Sequence, residues 1–228
     1  MPIIDVIIPA FNEQGSIGKV VSDIPKALVR EIIVVNNNST DQTEKVALDV
    51  GATVILDSRR GYGSACLKGL AHVRAKEIKP DIVVFLDGDY SDHPEEMTLL
   101  VNPILNNKMD MVIGSRALGK REKGSMMPQQ KFGNWLATSL LKLLYKISYT
   151  DLGPFRAITW TALEKLNMQD TNFGWTVEMQ LKAAKQKMNI TETPVSYRKR
   201  IGVSKIAGTL KGTILAGYKI IFTIFKYW

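Results

Sequence analysis

The sequence alternates apolar runs with segments of helical periodicity, and this alternation restricts the chain to a small number of folds. Polar or glycine-containing residues bound each run, and the runs are Ile3–Pro9, Glu31–Val35, Ala52–Leu56, Ile82–Leu86 and Met109–Gly114. Continuous apolar runs of this kind are typical of strands that are buried on both faces of a parallel sheet. Strands that alternate with helices predict an α/β fold, in which helices cover both faces of a mostly parallel sheet.

Helical periodicity fills the intervals between these strands and continues after them. The helices predicted from it are Ser16–Leu28, Gln42–Val50, Ser64–Lys76, Trp135–Tyr149, Thr161–Leu166 and Thr176–Lys187. Residues 117–130 have no period, which predicts a long functional loop, and residues 151–158 look like a turn entering a strand. Ile190–Val195 is the expected last strand. With 228 residues and 45% hydrophobic content, the chain suits one domain with its own core.

Three carboxylates follow the apolar run Ile82–Leu86 at the predicted strand end. Asp87 and Asp89 are separated by one small residue, so both could bind a single hard cation and leave coordination positions to phosphate oxygens. Open α/β sheets bind ligands beyond the carboxyl ends of their strands, which agrees with this location. The alternative is an acidic turn before the next helix, with Ser91 or Asp92 as its N-cap. Asp87 and Asp89 lie too early to be that cap, so we favour a metal–nucleotide site.

The charge distribution indicates an anionic partner. The net charge is +8, and no Asp or Glu follows Ser196. Composition alone does not choose among nucleic acid, a phosphorylated metabolite and an acidic membrane surface. Nucleic acid ranks last, because the basic cluster is not interleaved with aromatic residues and an acidic sheet edge repels phosphate unless a metal intervenes. The single cysteine, Cys66, forms no internal disulfide, and no signal-peptide pattern opens the sequence, so we expect a cytoplasmic protein.

The C-terminal segment, residues 206–228, combines apolar residues at helical spacing with lysines. Its strongest apolar run, Thr213–Trp228, contains Lys219 and Lys226 and falls short of the ~20 apolar residues that a bilayer core requires. The pattern favours an amphipathic helix in the membrane interface, with Tyr227 and Trp228 at headgroup level. The alternative is a helix that packs on the protein's own core or on a second subunit. In either case residues 1–205 are expected to form the main domain. With the favoured interfacial helix, the protein would associate with the membrane peripherally.

Several motifs occur in the order expected for one family. They are Ile8-Pro9-Ala10-Phe11-Asn12-Glu13, Val34-Val35-Asn36-Asn37-Asn38-Ser39-Thr40-Asp41, Gly61-Tyr62-Gly63, Asp87-Gly88-Asp89, Gly114-Ser115-Arg116, Gly153-Pro154-Phe155-Arg156 and Arg200-Ile201-Gly202-Val203-Ser204-Lys205. In these motifs the chain resembles the family 2 glycosyltransferases with the GT-A fold, especially the dolichol-phosphate mannosyltransferase-like branch that includes polyprenyl-phosphate glycosyltransferases. The resemblance covers nearly the whole chain and implies a metal-dependent, inverting hexosyltransferase.

The resemblance also implies a donor site for a UDP- or GDP-linked sugar. The residues implied to bind the nucleotide-sugar are Pro9, Asn12, Glu13, Asn37, Gly61, Gly63, Asp87, Gly88, Arg200 and Lys205. Asp87 and Asp89 are the implied ligands of Mg²⁺ or Mn²⁺, while Arg200 and Lys205 would fold over the diphosphate as a lid. The family usually has acidic residues where this chain has Asn36 and Asn37, so the base stays open.

For the acceptor, the resemblance implies a phosphate clamp that includes arginines. The implied acceptor residues are Arg116, Lys131, Gly153 and Arg156, and the implied catalytic residues are Asp89, Arg116 and Glu178. Arginine suits this role because its guanidinium binds phosphate in bidentate fashion, although an arginine is more often an exposed charge. Glu178 is expected to orient a group rather than to act as a base, since a phosphate acceptor is already anionic.

The favoured acceptor is a polyprenyl or dolichyl phosphate at the membrane surface. A second interpretation keeps the donor chemistry with a soluble phosphorylated acceptor. A third is a non-catalytic nucleotide-sugar-binding protein, which the intact aspartate pair disfavours. We also expect that the chain forms homo-oligomers if the C-terminal helix packs on a second copy.

Overall fold

The computed structural model describes residues 1–203 and 210–227. The strands are β1 (Ile4–Ala10), β2 (Glu31–Asn36), β3 (Thr53–Leu56), β4 (Ile82–Phe85), β5 (Met111–Ser115), β6 (Arg156–Thr159) and β7 (Ile190–Pro194). The helices are α1 (Ile17–Asp23), α2 (Thr43–Asp49), α3 (Tyr62–Ala75), α4 (Met97–Asn107), α5 (Pro128–Tyr145), α6 (Trp160–Leu166), α7 (Trp175–Lys185) and α8 (Leu210–Lys226). Lys205 and Trp228, which the sequence assigned to a lid and to a membrane interface, lie outside the described residues.

The strands form one sheet in the order β3-β2-β1-β4-β6-β5-β7. Parallel pairing joins β1 to β2 and β4, β2 to β3, and β5 to β7, whereas β6 runs antiparallel to β4 and β5. The prediction of an α/β fold with a mostly parallel sheet is therefore confirmed. Since parallel strands end at the same sheet edge, the polar residues after β1, β2 and β4 meet there.

Hydrophobic clusters on the two faces of the sheet form most of the core. Alternate residues of a strand point to opposite faces. Accordingly, Val6 and Ile8 pack with residues of α1 and α4, while Ile7 packs with residues of α3. A third cluster lies among α5, α7 and α8, and its centre includes the buried Leu141 and Ile224.

Three predicted helix boundaries are wrong, and proline explains two of them. The helix predicted to run from Ser16 to Leu28 ends at Asp23 in the structure, because Pro25 disfavours the helical conformation of the residue before it. The helix predicted from Trp135 begins earlier, at Pro128, since proline is well tolerated in the first turn. That helix ends at Tyr145, before Lys146 in the left-handed conformation.

The C-terminal helix α8 packs against α5 and α7 along one side. Ile224 is fully buried there, and the backbone oxygen of Ile224 accepts a hydrogen bond from the Tyr145 hydroxyl at 2.5 Å. The prediction that Tyr227 lies at headgroup level is wrong, because its hydroxyl donates inward to Glu178. No helix within residues 1–203 and 210–227 is long and apolar enough to cross a membrane.

Both α5 and α8 leave a stripe of apolar side chains exposed. The exposed side chains are Phe132, Trp135 and Leu143 on α5, and Ile214, Leu215, Tyr218, Phe222 and Phe225 on α8. We call them the exposed stripes of α5 and α8. Helix α8 thus has two apolar sides, one packed on the core and one facing solvent. It can therefore pack on the protein's own core and still contact a membrane surface or a second subunit.

Candidate active site

One cavity, which we call the main cavity because the predicted donor and metal residues meet in it, lies at the carboxyl ends of β1, β2 and β4 and has a volume of about 380 Å³. It is lined by Pro9, Ala10, Phe11, Glu13, Asn37, Arg60, Gly61, Tyr62, Ala65, Asp87, Gly88, Asp89, Asn172, Phe173 and Arg200. Eight of the residues that the sequence assigned to the donor and metal sites meet in this cavity. They come from strand ends far apart in sequence, as expected of a switch point in an open α/β sheet.

Three carboxylates converge below this cavity. The pKa of Asp87 is raised well above its usual value by burial and by the neighbouring charges of Asp89 and Asp92. Burial and the Asp89 charge likewise raise the pKa of Asp92 to about 7. Asp92 Oδ2 lies 3.5 Å from the backbone nitrogen of Asp87. Removing like charges from water and crowding them together is costly unless a cation compensates them.

The carboxylate oxygens fit a hard divalent cation. Oδ1 of Asp87 and Oδ1 of Asp92 are buried and have no hydrogen-bond partner within the described part of the chain. Oxygen donors of this kind are the ligands that Mg²⁺ and Mn²⁺ prefer. Across residues 1–203 and 210–227 no three His, Cys, Asp or Glu side chains form a ready metal cluster. A metal bound by Asp87 and Asp89 therefore needs oxygens from a ligand or from water to complete its coordination.

Arg200 joins two acidic residues across the cavity. Its Nη2 atom lies 2.9 Å from Glu13 Oε1, and its Nη1 atom lies 3.0 Å from Asp89 Oδ2. The other Asp89 oxygen accepts hydrogen bonds from the backbone and the hydroxyl of Ser91. Ser91 is thus committed to orienting Asp89. Nearby, the guanidinium of Arg198 stacks 3.4 Å from the centre of the Tyr90 ring and anchors the segment that carries Arg200.

Gly61 lines the cavity, whereas Gly63 has a packing role. A Cβ atom on Gly61 would lie 2.2 Å from the backbone oxygen of Thr171, and its φ of +149° is one that side chains disfavour. A Cβ atom on Gly63 would lie 2.0 Å from the backbone oxygen of Asp170. Both glycines let the start of α3 approach residues 169–174. Gly63 is not among the lining residues, so the structure gives no support to its predicted contact with the diphosphate.

Asn12 and Asn37 hold the loops of the site in place. Asn12 Oδ1 accepts from the backbone nitrogen of Thr40 at 2.8 Å, and Asn12 does not line the cavity. Asn37 does line it, but its amide donates to Arg59 O and Asp57 and accepts from Gly61 N. The Asn37 side chain therefore orients the loop before α3 and also lines the cavity in which the nucleotide-sugar is expected to bind.

Arg60 and the loop before α7, whose contribution the sequence did not predict, complete the cavity wall. Arg60 stacks on the Phe11 ring at 4.4 Å, and both line the cavity. The motif containing Phe11 was a signal for this position. Asn172 and Phe173 come from the loop before α7, whose sequence carries no phosphate- or nucleotide-binding pattern. Only the three-dimensional packing of that loop against Gly61 shows that Asn172 and Phe173 lie in the cavity wall.

Arg116 pairs with Asp151. Its Nε and Nη2 atoms donate to the two carboxylate oxygens at 2.8 and 2.7 Å, and its guanidinium lies 5.0 Å from the centre of the Tyr197 ring. Burial lowers the pKa of Arg116, but the Asp151 carboxylate outweighs this and raises it well above its usual value. Gly153 leaves room for the Arg116 side chain, because a Cβ atom on Gly153 would lie only 3.2 Å from Nε of Arg116. The positive charge of Arg116, which was predicted to bind the acceptor phosphate, is thus already paired with the Asp151 carboxylate.

The structure places Arg156 away from solvent, so its predicted contact with an acceptor phosphate stays a prediction that the structure does not support. Its side chain is fully buried under the sheet edge, and burial lowers its pKa to about 10. Its guanidinium donates to the backbone oxygens of Gly153 and Thr176. Arg156 therefore holds the turn before β6 against α7.

Glu178 is also fully buried and lies outside the cavity lining. Its carboxylate accepts from the backbone nitrogens of Gln169 and Asp170 and pairs with Lys182. A base or a group that touches substrate needs access to the cavity, so the predicted catalytic role of Glu178 stays a prediction that the structure does not support. Its structural effect is to order the loop that supplies Asn172 and Phe173.

A second cavity of about 280 Å³ opens at the start of α5. It is lined by Ala117, Arg121, Met126, Lys131, Asn134, Trp135, Thr138, Thr150 and Asp151. Lys131 is where the resemblance implied an acceptor contact, and Arg121 adds a second cation that sequence reasoning missed. Contacts link the two cavities, because Asp151 binds Arg116, Arg116 stacks on Tyr197, and Tyr197 forms an isolated β-bridge with Asp92.

Comparison with known proteins identifies the family. The family model described as glycosyl transferase family 2 matches residues 5–166. The chain belongs to glycosyl transferase family 2. This family 2 glycosyltransferase is 32% identical over 215 residues to an uncharacterized glycosyltransferase of Mycobacterium tuberculosis, covering 93% of this chain and 94% of the relative. It is 30% identical over 211 residues to the low-salt glycan biosynthesis hexosyltransferase Agl6 of Haloferax volcanii, covering 90% of this chain but only 50% of that protein.

Two further similarities concern acceptor chemistry in other proteins. This glycosyltransferase is 28% identical over 246 residues to UDP-N-acetylglucosamine–dolichyl-phosphate N-acetylglucosaminyltransferase of Methanococcus voltae, covering 97% of this chain and 94% of the relative. Its fold resembles glucosyl-3-phosphoglycerate synthase of Mycobacterium tuberculosis, solved with Mn²⁺, UDP and glucosyl-3-phosphoglycerate. The TM-score is 0.79 at 24% identity, covering 99% of this chain and 80% of the other. This likeness confirms the predicted GT-A fold.

Proposed function

We propose that the protein transfers a hexose from a nucleotide-sugar to the phosphate of a polyprenyl lipid, with inversion at the anomeric carbon. The observation that carries the proposal is the pairing of two cavities. One holds the family's aspartate pair at the sheet edge, and the other presents Arg121 and Lys131 beside the exposed stripe of α5. The first suits a metal-bound diphosphate, and the second suits a phosphate attached to an apolar chain.

The donor would occupy the main cavity with its diphosphate towards Asp87 and Asp89. These two carboxylates would hold Mg²⁺ or Mn²⁺, which supplies positive charge that stabilises the departing nucleoside diphosphate. Arg200 also lines the cavity and can turn its guanidinium from Asp89 to the diphosphate. Phe11 and Arg60, at the rim, offer flat surfaces for a base.

The acceptor phosphate would occupy the second cavity. Arg121 and Lys131 supply its counter-charges, and Asn134 and Thr138 add hydrogen-bonding groups. An oxygen of this phosphate attacks the anomeric carbon, and the bond from that carbon to the nucleoside diphosphate breaks. Because the attacking oxygen is already anionic, no general base is needed, which agrees with the burial of Glu178.

The exposed stripes of α5 and α8 favour a lipid carrier. Trp135 both lines the second cavity and is 60% exposed, so the cavity and the stripe of α5 are continuous. Apolar side chains flanked by lysines are typical of helices that lie in a membrane interface. The relative from Methanococcus voltae, whose name gives a dolichyl-phosphate acceptor, supports the same choice.

A soluble phosphorylated acceptor is the second candidate. One observation favours it: a protein of the same fold, glucosyl-3-phosphoglycerate synthase, was solved with phosphoglyceric acid. The charges of Arg121 and Lys131 suit a small phospho-acid as well as a lipid phosphate. The exposed stripes of α5 and α8 would then have no part in substrate binding.

Transfer assays distinguish these candidates. Purified protein is incubated with Mn²⁺ and one of three donors labelled in the sugar: UDP-glucose, UDP-N-acetylglucosamine or GDP-mannose. The acceptor is either undecaprenyl phosphate in vesicles or 3-phosphoglycerate. We expect label to enter the organic phase with undecaprenyl phosphate. Label that enters only a water-soluble product would overturn the lipid acceptor.

The metal site is tested separately. Asp89→Asn should lower transfer at least about 10³-fold, since the metal contributes several kcal/mol to the stabilisation of the transition state. Full turnover of the wild type in EDTA would contradict the metal site.

A further inference from the structure

The loop formed by residues 169–174 separates the main cavity from the C-terminal helix. On the cavity side, Asn172 and Phe173 line the wall, and the backbone oxygen of Thr171 accepts from Ser64 N at 2.8 Å. The loop backbone lies so close to the start of α3 that only glycine fits at positions 61 and 63. Any shift of this loop therefore moves the donor wall.

On the other side, Lys219 of α8 holds the loop through Asp170. Lys219 Nζ lies 2.9 Å from Asp170 Oδ2. The second oxygen of Asp170 accepts from the backbone nitrogens of Asn172 and Gly174 at 2.7 and 3.1 Å. Lys219 thus compensates the negative charge of Asp170, whose carboxylate holds the loop backbone through these two hydrogen bonds.

Tyr227 holds the same loop through Glu178. The Tyr227 hydroxyl donates to Glu178 Oε1 at 2.7 Å. Glu178 in turn accepts from the backbone nitrogens of Gln169 and Asp170 at 3.0 and 2.7 Å. Two contacts, one from α8 and one from the residue that follows it, therefore converge on one loop of six residues, and neither Lys219 nor Tyr227 lines the cavity.

We propose that Lys219 and Tyr227 are positioning residues that keep the 169–174 loop in the conformation that binds the donor. If either contact is lost, the loop adopts this conformation for a smaller fraction of the time. The apparent affinity for a nucleotide falls by the same fraction. The inference rests on the donor site of the proposed function and is independent of which acceptor is used.

Conservative variants test the proposal. Dissociation constants of UDP and of GDP, each with Mn²⁺, are measured by calorimetry for Lys219→Gln and Tyr227→Phe. For the nucleotide that binds, both variants should bind roughly threefold to tenfold more weakly, the range in which residues away from a ligand modulate binding. The matched control is Lys142→Gln, at an exposed lysine of α5, which should bind as the wild type does. Melting temperatures check that each variant is folded.

Two further readouts separate positioning from a general loss of structure. In transfer assays, the donor KM should rise for Lys219→Gln and Tyr227→Phe while the acceptor KM stays unchanged. Lys219→Gln and Asp170→Asn should combine non-additively in the nucleotide dissociation constant, because they act through one contact. Wild-type affinity in folded Tyr227→Phe and Lys219→Gln would overturn the inference. If the wild type binds neither nucleotide, the proposed donor site is wrong and the inference falls with it.

Discussion

Nη1 of Arg200 lies 3.0 Å from Oδ2 of Asp89, so a side-chain cation pairs with the carboxylate that we assign to the metal. The same guanidinium reaches Glu13 at 2.9 Å. A cation already paired with an oxygen competes with a second cation for that oxygen. Arg200 therefore has two opposing effects, since it hinders a metal that arrives alone and attracts a metal–nucleotide complex that carries negative charge.

The first prediction is that Arg200→Gln separates these two effects. The variant should bind Mn²⁺ alone about twofold to fivefold more tightly than the wild type, because a partly exposed ion pair contributes at most about 1 kcal/mol. Its KM for the nucleotide-sugar should rise, because the diphosphate loses a cation. Calorimetry with Mn²⁺ measures the first effect, and Lys199→Gln, at a neighbouring exposed cation, is the control. Weaker Mn²⁺ binding by Arg200→Gln would contradict the competition.

The second prediction assigns the acceptor phosphate to Arg121 and Lys131. Arg121→Gln and Lys131→Gln should each raise the acceptor KM about tenfold or more, since hydrogen bonds to charged groups contribute roughly 1.5–3 kcal/mol. The donor KM should not change. Lys123→Gln, at an exposed lysine of the same loop, is the control in steady-state assays. An unchanged acceptor KM in both variants would remove the second cavity from the mechanism.

The third prediction concerns the exposed stripes of α5 and α8. The double variant Trp135→Gln and Phe222→Gln should co-sediment at least about tenfold less with phosphatidylglycerol-containing vesicles, because each large apolar side chain contributes roughly 1.5–3 kcal/mol on burial. Binding by the wild type should weaken in high salt, since lysines contribute to it. Point variants are preferable to removing α8, which would expose the core residue Ile224.

Leu105→Gln, at an exposed leucine of α4, is the control for the vesicle experiment. Equal vesicle binding by the double variant and the wild type would rule out these stripes as the docking surface. Sedimentation velocity tests the alternative that a second copy of the chain packs on these stripes. A wild-type dimer that dissociates in the double variant would assign the stripes to a second copy of the chain.

The fourth prediction concerns stability at the sheet edge opposite the site. Asp5 is fully buried, and its Oδ2 lies 2.5 Å from Arg30 Nη2 and 3.1 Å from Lys76 Nζ. Asp5→Asn should lower the free energy of unfolding by about 1–3 kcal/mol, because it leaves partly buried cations without their partner. Urea titration measures this. Glu164→Gln, which breaks the exposed pair with Arg74, should cost less than about 1 kcal/mol. Equal losses would show that burial of Asp5 does not strengthen its pairs.

The sequence by itself determined the strands, the order of the loops and the aspartate pair. Apolar periodicity is a local property, and it placed β1, β2 and β4 to within a residue or two. Because the carboxyl ends of parallel strands meet, the motifs after them had to converge, which located Pro9, Asn37 and Asp87 in one cavity. The family resemblance added chemistry to these positions.

Tertiary structure decided which charged groups can reach a substrate. Arg116, Arg156 and Glu178 have the residue types expected of a phosphate clamp and a base, but partners distant in sequence surround them. Asp151 neutralises Arg116, backbone oxygens hold Arg156, and backbone nitrogens hold Glu178. Burial and pairing depend on the whole fold, so a motif shows that a charge is present without showing whether it is accessible. For the same reason, only the packed structure revealed Arg121 beside Lys131, and α8 as a support for the donor wall.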